Sequence, residues 1–387
     1  MALIAPPLAL YVHMPWCVKK CPYCDFNSHG LRGEPPYAAY VDALLADLDA
    51  DRADFGAALH DRSIVSVFFG GGTPSLFAPE LIGRFLDGAR ARLPFADDCE
   101  ITLETNPGTV EHGRFDGYLA AGVNRISFGI QSFDDDKLRR LGRIHSAKEA
   151  EAAVKSAQDA GLDNINLDLM YALPEQTLHG ALADVDRATV LGPAHISHYQ
   201  LTLEPNTAFA AHPPPLPDDD AAWAMQEACE TRLAEGGYAQ YEISAYAAPD
   251  RQCRHNLNYW RFGDYLGVGA GAHGKLTDTP GNQILRRWKT RHPNAYLEAA
   301  GGPGRIGGHA AVATGELPFE YMLNALRLIH GVPVDDFPAR TGIPLEQIAA
   351  ALAAGRHKGW FEQQPGRLVT TPLGQRFLND VIASFLD

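Results

Sequence analysis

The sequence predicts an α/β protein whose main part is an incomplete (βα)6 barrel. Six apolar, β-rich segments alternate with helical patterns over residues 8–236, and repeated βα units imply a parallel sheet covered by helices. Several of these segments are apolar on both faces, as the strands of a buried parallel sheet must be. The predicted strands cover residues 8–14, 63–69, 100–104, 124–130, 163–170 and 196–203.

Each predicted strand is followed by one or two helices. Six such units could form either an open doubly wound sheet or a partial barrel. We favour the barrel because polar residues fall near the ends of successive strands, which is where barrel proteins place their sites. The predicted helices lie near residues 35–58, 78–92, 111–121, 134–140, 146–160, 177–191 and 218–236.

The pattern changes after residue 240, which divides the chain into three predicted regions. Residues 1–240 form the barrel. Residues 241–310 are rich in Gly, Arg, His and aromatic residues, and we interpret them as an additional region of strands and long loops. Residues 311–387 contain two helical segments, a hairpin turning at Pro365 and Gly366, and a last helix, which together predict a winged-helix-like α+β module.

The composition excludes some classes of protein. The net charge of −14 argues against nucleic-acid binding, which requires clustered Lys and Arg to neutralise phosphates. No apolar run approaches the length of a membrane span. The N-terminal segment lacks a basic start and is interrupted by Pro6 and Pro7, so we interpret it as a loop that enters a strand and not as a signal peptide. We therefore expect a cytoplasmic protein.

Three of the six cysteines stand close together, with Cys17, Cys21 and Cys24 in a CxxxCxxC spacing after the first strand. In a reducing compartment, thiols this close indicate a metal or redox centre and not a disulfide framework. Thiolates are the usual ligands of iron–sulfur clusters, and three of them would hold a [4Fe–4S] cluster with one iron open. The alternative is a structural zinc ion with His13 or Cys253 as the fourth ligand.

The segment YVHMPWCVKKCPYCDFNS around these cysteines resembles the cluster loop of radical S-adenosylmethionine (SAM) proteins. In that superfamily CxxxCxxC follows the first barrel strand. The resemblance implies that the open iron binds the amino and carboxylate groups of SAM. It also implies reductive cleavage of SAM as the shared chemistry, with electrons from a low-potential donor such as a flavodoxin or ferredoxin.

A glycine-rich turn and several strand-end polar residues extend this resemblance. Glycines in the GGGT sequence at 70–73 would let the backbone approach a ligand, although a sharp turn alone would also use them. Each polar residue taken singly could be an ion pair or a helix cap. Together they resemble the SAM-contacting set of the coproporphyrinogen-oxidase-like family, which here corresponds to Tyr11, Gly71, Gly72, Thr73, Glu104, Gln131, Arg143 and Asp168.

Two branches of that family differ in function. The oxygen-independent coproporphyrinogen III oxidases extend the cysteine motif to CxxxCxxCxC, but Phe26 stands at that last position here. The heme-chaperone branch carries an HNxxYW motif, which this chain matches at residues 255–260. The resemblance implies heme binding there, and a histidine can ligate heme iron while aromatic rings pack on porphyrin. Core packing is the alternative for the residues concerned, His255, Asn256, Tyr259 and Trp260.

Two further features near this motif could contact heme. His273, in the glycine-rich segment 267–274, is a possible second contact. The basic segment 286–291 could attract the heme propionates, although a solvated basic face is the simpler interpretation. The heme-chaperone resemblance implies transfer of heme to an acceptor protein and a dimer that depends on the cluster. A radical SAM enzyme similar to the oxidase is the alternative.

Overall fold

The central part of the molecule is the parallel sheet that the sequence predicts. The computed structural model describes residues 1–109 and 114–386. The strands are β1 Leu8–Met14, β2 Trp16–Cys17, β3 His29–Gly30, β4 Ile64–Gly71, β5 Phe95–Thr105, β6 Arg125–Gln131, β7 Ile165–Tyr171, β8 His195–Gln200, β9 Ala239–Glu242, β10 Ala245–Ala247, β11 Asp264–Val268, β12 His273–Asp278, β13 Gln283–Lys289, β14 Ile306–Ala311, β15 Val332–Pro333 and β16 Arg367–Leu368.

Helices follow the parallel strands near the predicted places, although the first residues of the helix predicted near 111–121 lie outside the described residues. The α-helices are α1 Tyr37–Leu59, α2 Pro79–Arg90, α3 Arg114–Ala120, α4 Asp135–Arg140, α5 Ala147–Asp159, α6 Leu178–Val190, α7 Ala208–Ala211, α8 Asp219–Glu235, α9 Arg254–Trp260, α10 Pro293–Glu298, α11 Leu317–Ala325, α12 Asp336–Thr341, α13 Ala349–His357, α14 Pro372–Arg376 and α15 Leu378–Ala383. In the described parts of the chain, no helix is both long and apolar enough to cross a membrane.

Twelve strands form one mixed sheet in the order β14-β13-β12-β11-β1-β4-β5-β6-β7-β8-β10-β9. The six predicted strands are consecutive and parallel within it, which confirms the partial-barrel fold class. β11 adds a further parallel strand beside β1, and β12 to β14 continue the sheet as an antiparallel extension. Strands β10 and β9 are antiparallel at the opposite edge.

The two faces of the sheet have different roles. Successive side chains of a strand point to opposite faces. On β1, Leu8, Leu10 and Val12 belong to the main hydrophobic core, which also contains Leu44 and Leu48 of α1. The alternate β1 residues point to the inner face, which carries the polar side chains. The outer helices therefore supply the hydrophobic stabilisation and leave the inner face for a site.

The regions after residue 240 differ in detail from the expectation. The segment predicted as strands and loops contains these, but the HNxxYW residues form the short helix α9 instead of a loop. In the C-terminal region the predicted hairpin is reduced to one bridge between Phe361 and Thr370. Its returning arm, β16, pairs with β15 instead. The last helix is interrupted at Phe377, so that α14 and α15 are separate.

Buried charges join α1 to the antiparallel extension. The ammonium group of Lys289 contacts Asp47 and lies 2.8 Å from Oδ2 of Asp51. The guanidinium of Arg305 binds the same two carboxylates at 2.9 and 3.1 Å. Tyr296 donates a 2.7 Å hydrogen bond to Asp47. Because all of these groups are buried, removal of one cation leaves negative charge on the Asp47 and Asp51 carboxylates that solvent does not screen.

We expect Lys289→Met to lower the free energy of unfolding by about 3–5 kcal/mol, the usual cost of removing one partner of a buried ion pair. The matched change Arg232→Met breaks an exposed pair with Asp186 and should cost less than about 1 kcal/mol. Urea unfolding followed by circular dichroism measures both. Equal losses in the two variants would contradict the importance of this buried cluster.

Candidate functional site

A cavity of about 390 Å³ opens at the carboxyl ends of the parallel strands. Polar strand-end side chains and the loop after β1 form its wall, which is the arrangement expected of a barrel site. Ten of the predicted residues line it, the three cysteines among them: Cys17, Cys21, Cys24, Gly71, Gly72, Thr73, Glu104, Gln131, Arg143 and Asp168.

The cysteine loop is held by backbone contacts on both sides. The amide of Cys24 donates to the carbonyl of Cys21 at 3.2 Å, and the amide of Leu31 donates to the carbonyl of Cys17 at 3.0 Å. The Asn27 side chain donates to the carbonyls of Ala270 and Arg291 at 2.9 and 2.8 Å. These bonds fasten the loop to the antiparallel extension. Burial raises the pKa of the Cys17 and Cys24 thiols.

The glycine-rich turn after β4 lies against the start of the cysteine loop. The amides of Gly72 and Thr73 donate to the carbonyls of Met14 and Trp16, each at 2.7 Å. A Cβ at Gly72 would lie 2.5 Å from the Trp16 carbonyl oxygen. Gly71 has a φ of +103°, and a Cβ there would lie 2.3 Å from the His13 ring. Only glycines allow this close approach at both positions.

The carboxyl groups of Glu104 on β5 and Asp168 on β7 are among those that line the cavity. Burial raises the pKa of Glu104 to about 8, and the nearby Asp168 adds to this effect. Burial also raises the pKa of Asp168. Oε2 of Glu104 accepts the Gly71 amide at 3.2 Å, and Oδ1 of Asp168 accepts a bond from Asn166 at 2.8 Å. A cation or hydroxyl group of a ligand would find acceptors here.

Arg143 links the strand ends to the cysteine loop. Its guanidinium donates to the carbonyl of Gly129 at 2.5 Å and lies 3.6 Å from Sγ of Cys21. Gln131, at the end of β6, adopts a φ of +75° and accepts a 2.9 Å bond from the hydroxyl of Tyr199. Arg143 thus shares the cavity with the carboxyl groups of Glu104 and Asp168, and together these groups could orient a zwitterionic ligand.

Tyr11 does not line the cavity. Its hydroxyl lies 2.9 Å from Nδ1 of His13, and Nε2 of His13 lies 2.9 Å from the carbonyl of Asn27. Both ring nitrogens of His13 are therefore engaged, and Cys253 lies elsewhere, with its thiol 3.5 Å from Glu100. The two candidate fourth ligands of a zinc ion are not brought to the cysteines.

The donor set suits an iron–sulfur cluster. Within residues 1–109 and 114–386, no three His, Cys, Asp or Glu side chains are grouped so that they could hold one metal ion. Three thiols nevertheless face one cavity. Thiolates that bind different irons of a cubane need not converge on a common point, and soft thiolate donors are what iron–sulfur clusters use.

The HNxxYW helix α9 packs on the inner face beneath the cavity and does not line it. His255 is 1% exposed; Nδ1 lies 3.0 Å from the Ser66 hydroxyl and Nε2 lies 3.1 Å from the Tyr259 hydroxyl. Its ring stacks on Phe68. Burial lowers the pKa of His255 to about 3, so the imidazole is neutral. Trp260 packs under Arg327, and Asn256 is partly exposed.

Several cavity residues were not predicted from the sequence. Tyr199 and Met170 lie near the ends of β8 and β7, and Ser127 and Gly129 lie on β6. Their positions near strand ends could have indicated that they line the site, because the carboxyl ends of the parallel strands meet at the same edge of the sheet. Apolar and small residue types carry no chemical signature, so the sequence alone did not distinguish them from core residues.

Comparison with known proteins gives the family. The family model for the radical SAM superfamily matches residues 11–188, and the model for the HemN C-terminal domain matches residues 315–377. The heme chaperone HemW of Escherichia coli (strain K12) is 50% identical over 382 residues, covering 98% of each chain. The HemW of Haemophilus influenzae is 49% identical over 381 residues and also covers 98% of each chain.

The chain belongs to the HemW family. The family assignment inferred from the cysteine loop and the HNxxYW motif is thus confirmed. Among solved structures, coproporphyrinogen III oxidase (HemN) from Escherichia coli matches with a TM-score of 0.82. The match covers 98% of this chain and 90% of that enzyme at 22% identity, which confirms the fold alone.

Glu104→Gln should change how stability depends on pH. A carboxyl group whose pKa is raised from 4.5 to about 8 binds its proton more tightly in the folded protein than in the unfolded chain. Its protonation therefore stabilises the fold at low pH, and this stabilisation is lost as pH rises from 4.5 to about 8. Glutamine carries no such proton, so the variant should lose less stability over this range.

The measurement is urea unfolding of the protein without added SAM at several pH values across that range. The exposed Glu235, changed to Gln, controls for the loss of one carboxylate. Parallel stability profiles for wild type and Glu104→Gln would show that Glu104 does not hold a proton in the folded state.

Proposed function

We propose that this chain is a heme chaperone that binds heme and transfers it to an acceptor protein. It would carry a [4Fe–4S] cluster on Cys17, Cys21 and Cys24 and bind exchangeable SAM. The observation that carries the proposal is the single cavity in which these cysteines meet seven of the eight predicted SAM residues. Its support is 50% identity along the whole chain to a protein named as a heme chaperone.

The residues around the cavity have distinct parts in this proposal. A bound cluster would supply an open iron for the amino and carboxylate groups of SAM and a low-potential electron. Arg143 neutralises charge beside Cys21 and offers donors to a carboxylate. Glu104 and Asp168 accept hydrogen bonds from ammonium or ribose hydroxyl groups. Gly71 and Gly72 line the cavity, and their lack of side chains lets the turn after β4 pack against His13 and the Trp16 carbonyl.

The HNxxYW helix contributes to the inner face beneath that site. His255 accepts from or donates to Ser66 and Tyr259, so it fixes the orientation of the Tyr259 ring. We infer that His255 is a positioning residue, and that Asn256, Tyr259 and Trp260 belong to the wall that faces heme. Tyr259 packs edge-on against Tyr265 with ring centroids 4.5 Å apart, which extends this aromatic wall toward the antiparallel extension.

The cysteine loop also suits partner proteins. Lys19 lines the mouth of the cavity, and Lys20 lies in the same loop with its ammonium group 2.8 Å from the carbonyl of Phe26. Positive charge at the mouth of the cavity would attract an acidic low-potential donor such as a flavodoxin or ferredoxin.

Phe26 is 58% exposed beside the cluster site, where the second chain of a cluster-dependent dimer could cover it.

Cys21→Ala should abolish cluster assembly, because two thiolates cannot hold a cubane that needs three. The matched variant Cys229→Ala removes a buried thiol of α8 that lies outside the cavity, and it should retain wild-type iron and sulfide. Iron and acid-labile sulfide are measured after anaerobic reconstitution. Retention of one zinc ion by the wild-type protein, without sulfide, would contradict the cluster.

The function is tested by two anaerobic assays on the reconstituted chain. Loaded with hemin, it should pass heme to an apo-acceptor, observed as loss of its own heme absorption and gain of the acceptor's. Incubated with coproporphyrinogen III, SAM and a reductant, it should release no protoporphyrinogen IX. Formation of that product would overturn the chaperone proposal in favour of a radical SAM oxidase.

A further inference from the structure

The iron of heme needs an accessible donor atom, and His255 does not offer one. Both of its ring nitrogens are engaged and the side chain is buried under Phe68. Ligation would require α9 to leave the sheet. A different histidine on the same inner face is exposed, namely His273 at the start of β12.

Strand register places His273 in an aromatic row. Directly opposite residues of antiparallel strands share one face, and His273 is paired with Trp288 of β13, which is paired with Gly308 of β14. The imidazole stacks on the indole at 6.2 Å with an angle of 23° between the planes. A Cβ at Gly308 would lie 2.2 Å from the indole, so the glycine lets the ring lie flat on the strand.

This row continues onto the barrel. By the same register Gly267 of β11 is opposite His273, and Tyr11 of β1 is beside Gly267. A Cβ at Gly267 would lie 2.0 Å from the carbonyl oxygen of His273. Gly267 itself is buried, so the accessible part of the row runs from His273 through Trp288 to Gly308. A flat apolar molecule fits such a strip.

Resting on the proposed function, we propose that heme binds on the inner face of the β11–β14 extension with His273 as the axial ligand of its iron. Trp288 packs on the face of the imidazole and leaves the ring edge, where the nitrogens lie, open to the metal. In the part of the chain that the structure describes, no hydrogen bond engages those nitrogens, in contrast to His255. Ligation thus displaces no existing partner.

A cation for the heme propionates lies beside this ligand. Arg286 is held by Glu320 and by a 2.9 Å bond to the hydroxyl of Tyr265. The exposed Arg291 has no ion-pair partner among residues 1–109 and 114–386, and it is therefore available to a carboxylate. Burial lowers the pKa of His273, and both arginines are near enough to contribute to that shift.

The site is connected to the cysteine loop. Asn27 donates to the carbonyls of Ala270 and Arg291. Ala270 precedes His273 in the chain, and Arg291 follows Trp288. The amide of Gly271 donates to the carbonyl of Thr290 at 3.0 Å, which joins the two segments directly. A change in the cysteine loop would therefore reach the heme ligand through Asn27, without passing through α9.

The test is hemin titration of the reconstituted full chain, followed by Soret absorption and electron paramagnetic resonance. His273→Gly should lose the histidine-ligated spectrum and bind hemin at least about tenfold more weakly, as disruption of a metal site does. Added imidazole should restore the spectrum, because it can fill the space the side chain left. His309→Gly removes an exposed histidine of β14 on the opposite face and should behave as wild type.

The outcomes separate this inference from the function on which it rests. If wild type binds hemin and His273→Gly keeps the same spectrum and affinity, His273 is not the ligand and the inference is overturned. Lost binding that imidazole does not restore also overturns it, since the residue would then act only through structure. If wild type binds no hemin, the chaperone function itself is wrong. Circular dichroism confirms that each variant is folded.

Discussion

Backbone pairing between the turn after β4 and the chain after β1 is the constraint on which the site depends. The amides of Gly72 and Thr73 bind the carbonyls of Met14 and Trp16, and the next residue along is Cys17. This contact sets the distance between the cysteine loop and the strand-end residues. Because a side chain at Gly72 would overlap the Trp16 carbonyl, the contact leaves glycine as the residue that fits there.

The electrostatics of the cavity depend on the burial of its charged groups. Two carboxyl groups share a buried site, so burial and mutual repulsion favour a proton on Glu104. Arg143 contacts the thiol of Cys21, and its charge also lowers the pKa of Asp168 in part against the effect of burial. The cavity thus offers both a cation and carboxyl acceptors. A zwitterionic ligand can bind both kinds of group, whereas a simple anion or cation binds only one.

The sequence predicted the parallel strands from local patterns, and the family resemblance then predicted ten of the residues that line the cavity. Apolar runs define strands, and parallel topology then gathers their carboxyl ends. The family resemblance predicts Tyr11 as a SAM residue, and the structure adds a contact of its hydroxyl with His13 that no sequence pattern indicates. The sequence also does not predict the burial of His255, because Ser66 and Tyr259 come together around it only when α9 packs on β4. Long-range packing of that kind leaves no periodic signal.

Under the proposed function, the antiparallel extension offers a face for cargo that is separate from the cofactor cavity. Strands β11 to β14 continue the barrel sheet beyond β1, so their inner face is continuous with the cofactor face but lies outside the cavity. The buried charges of Asp47, Lys289 and Arg305 anchor that extension rigidly to α1. Asn27 then ties the cysteine loop to the rigid extension. These two hydrogen bonds of Asn27 are therefore the direct connection between the cysteine loop and the segments that precede His273 and follow Trp288.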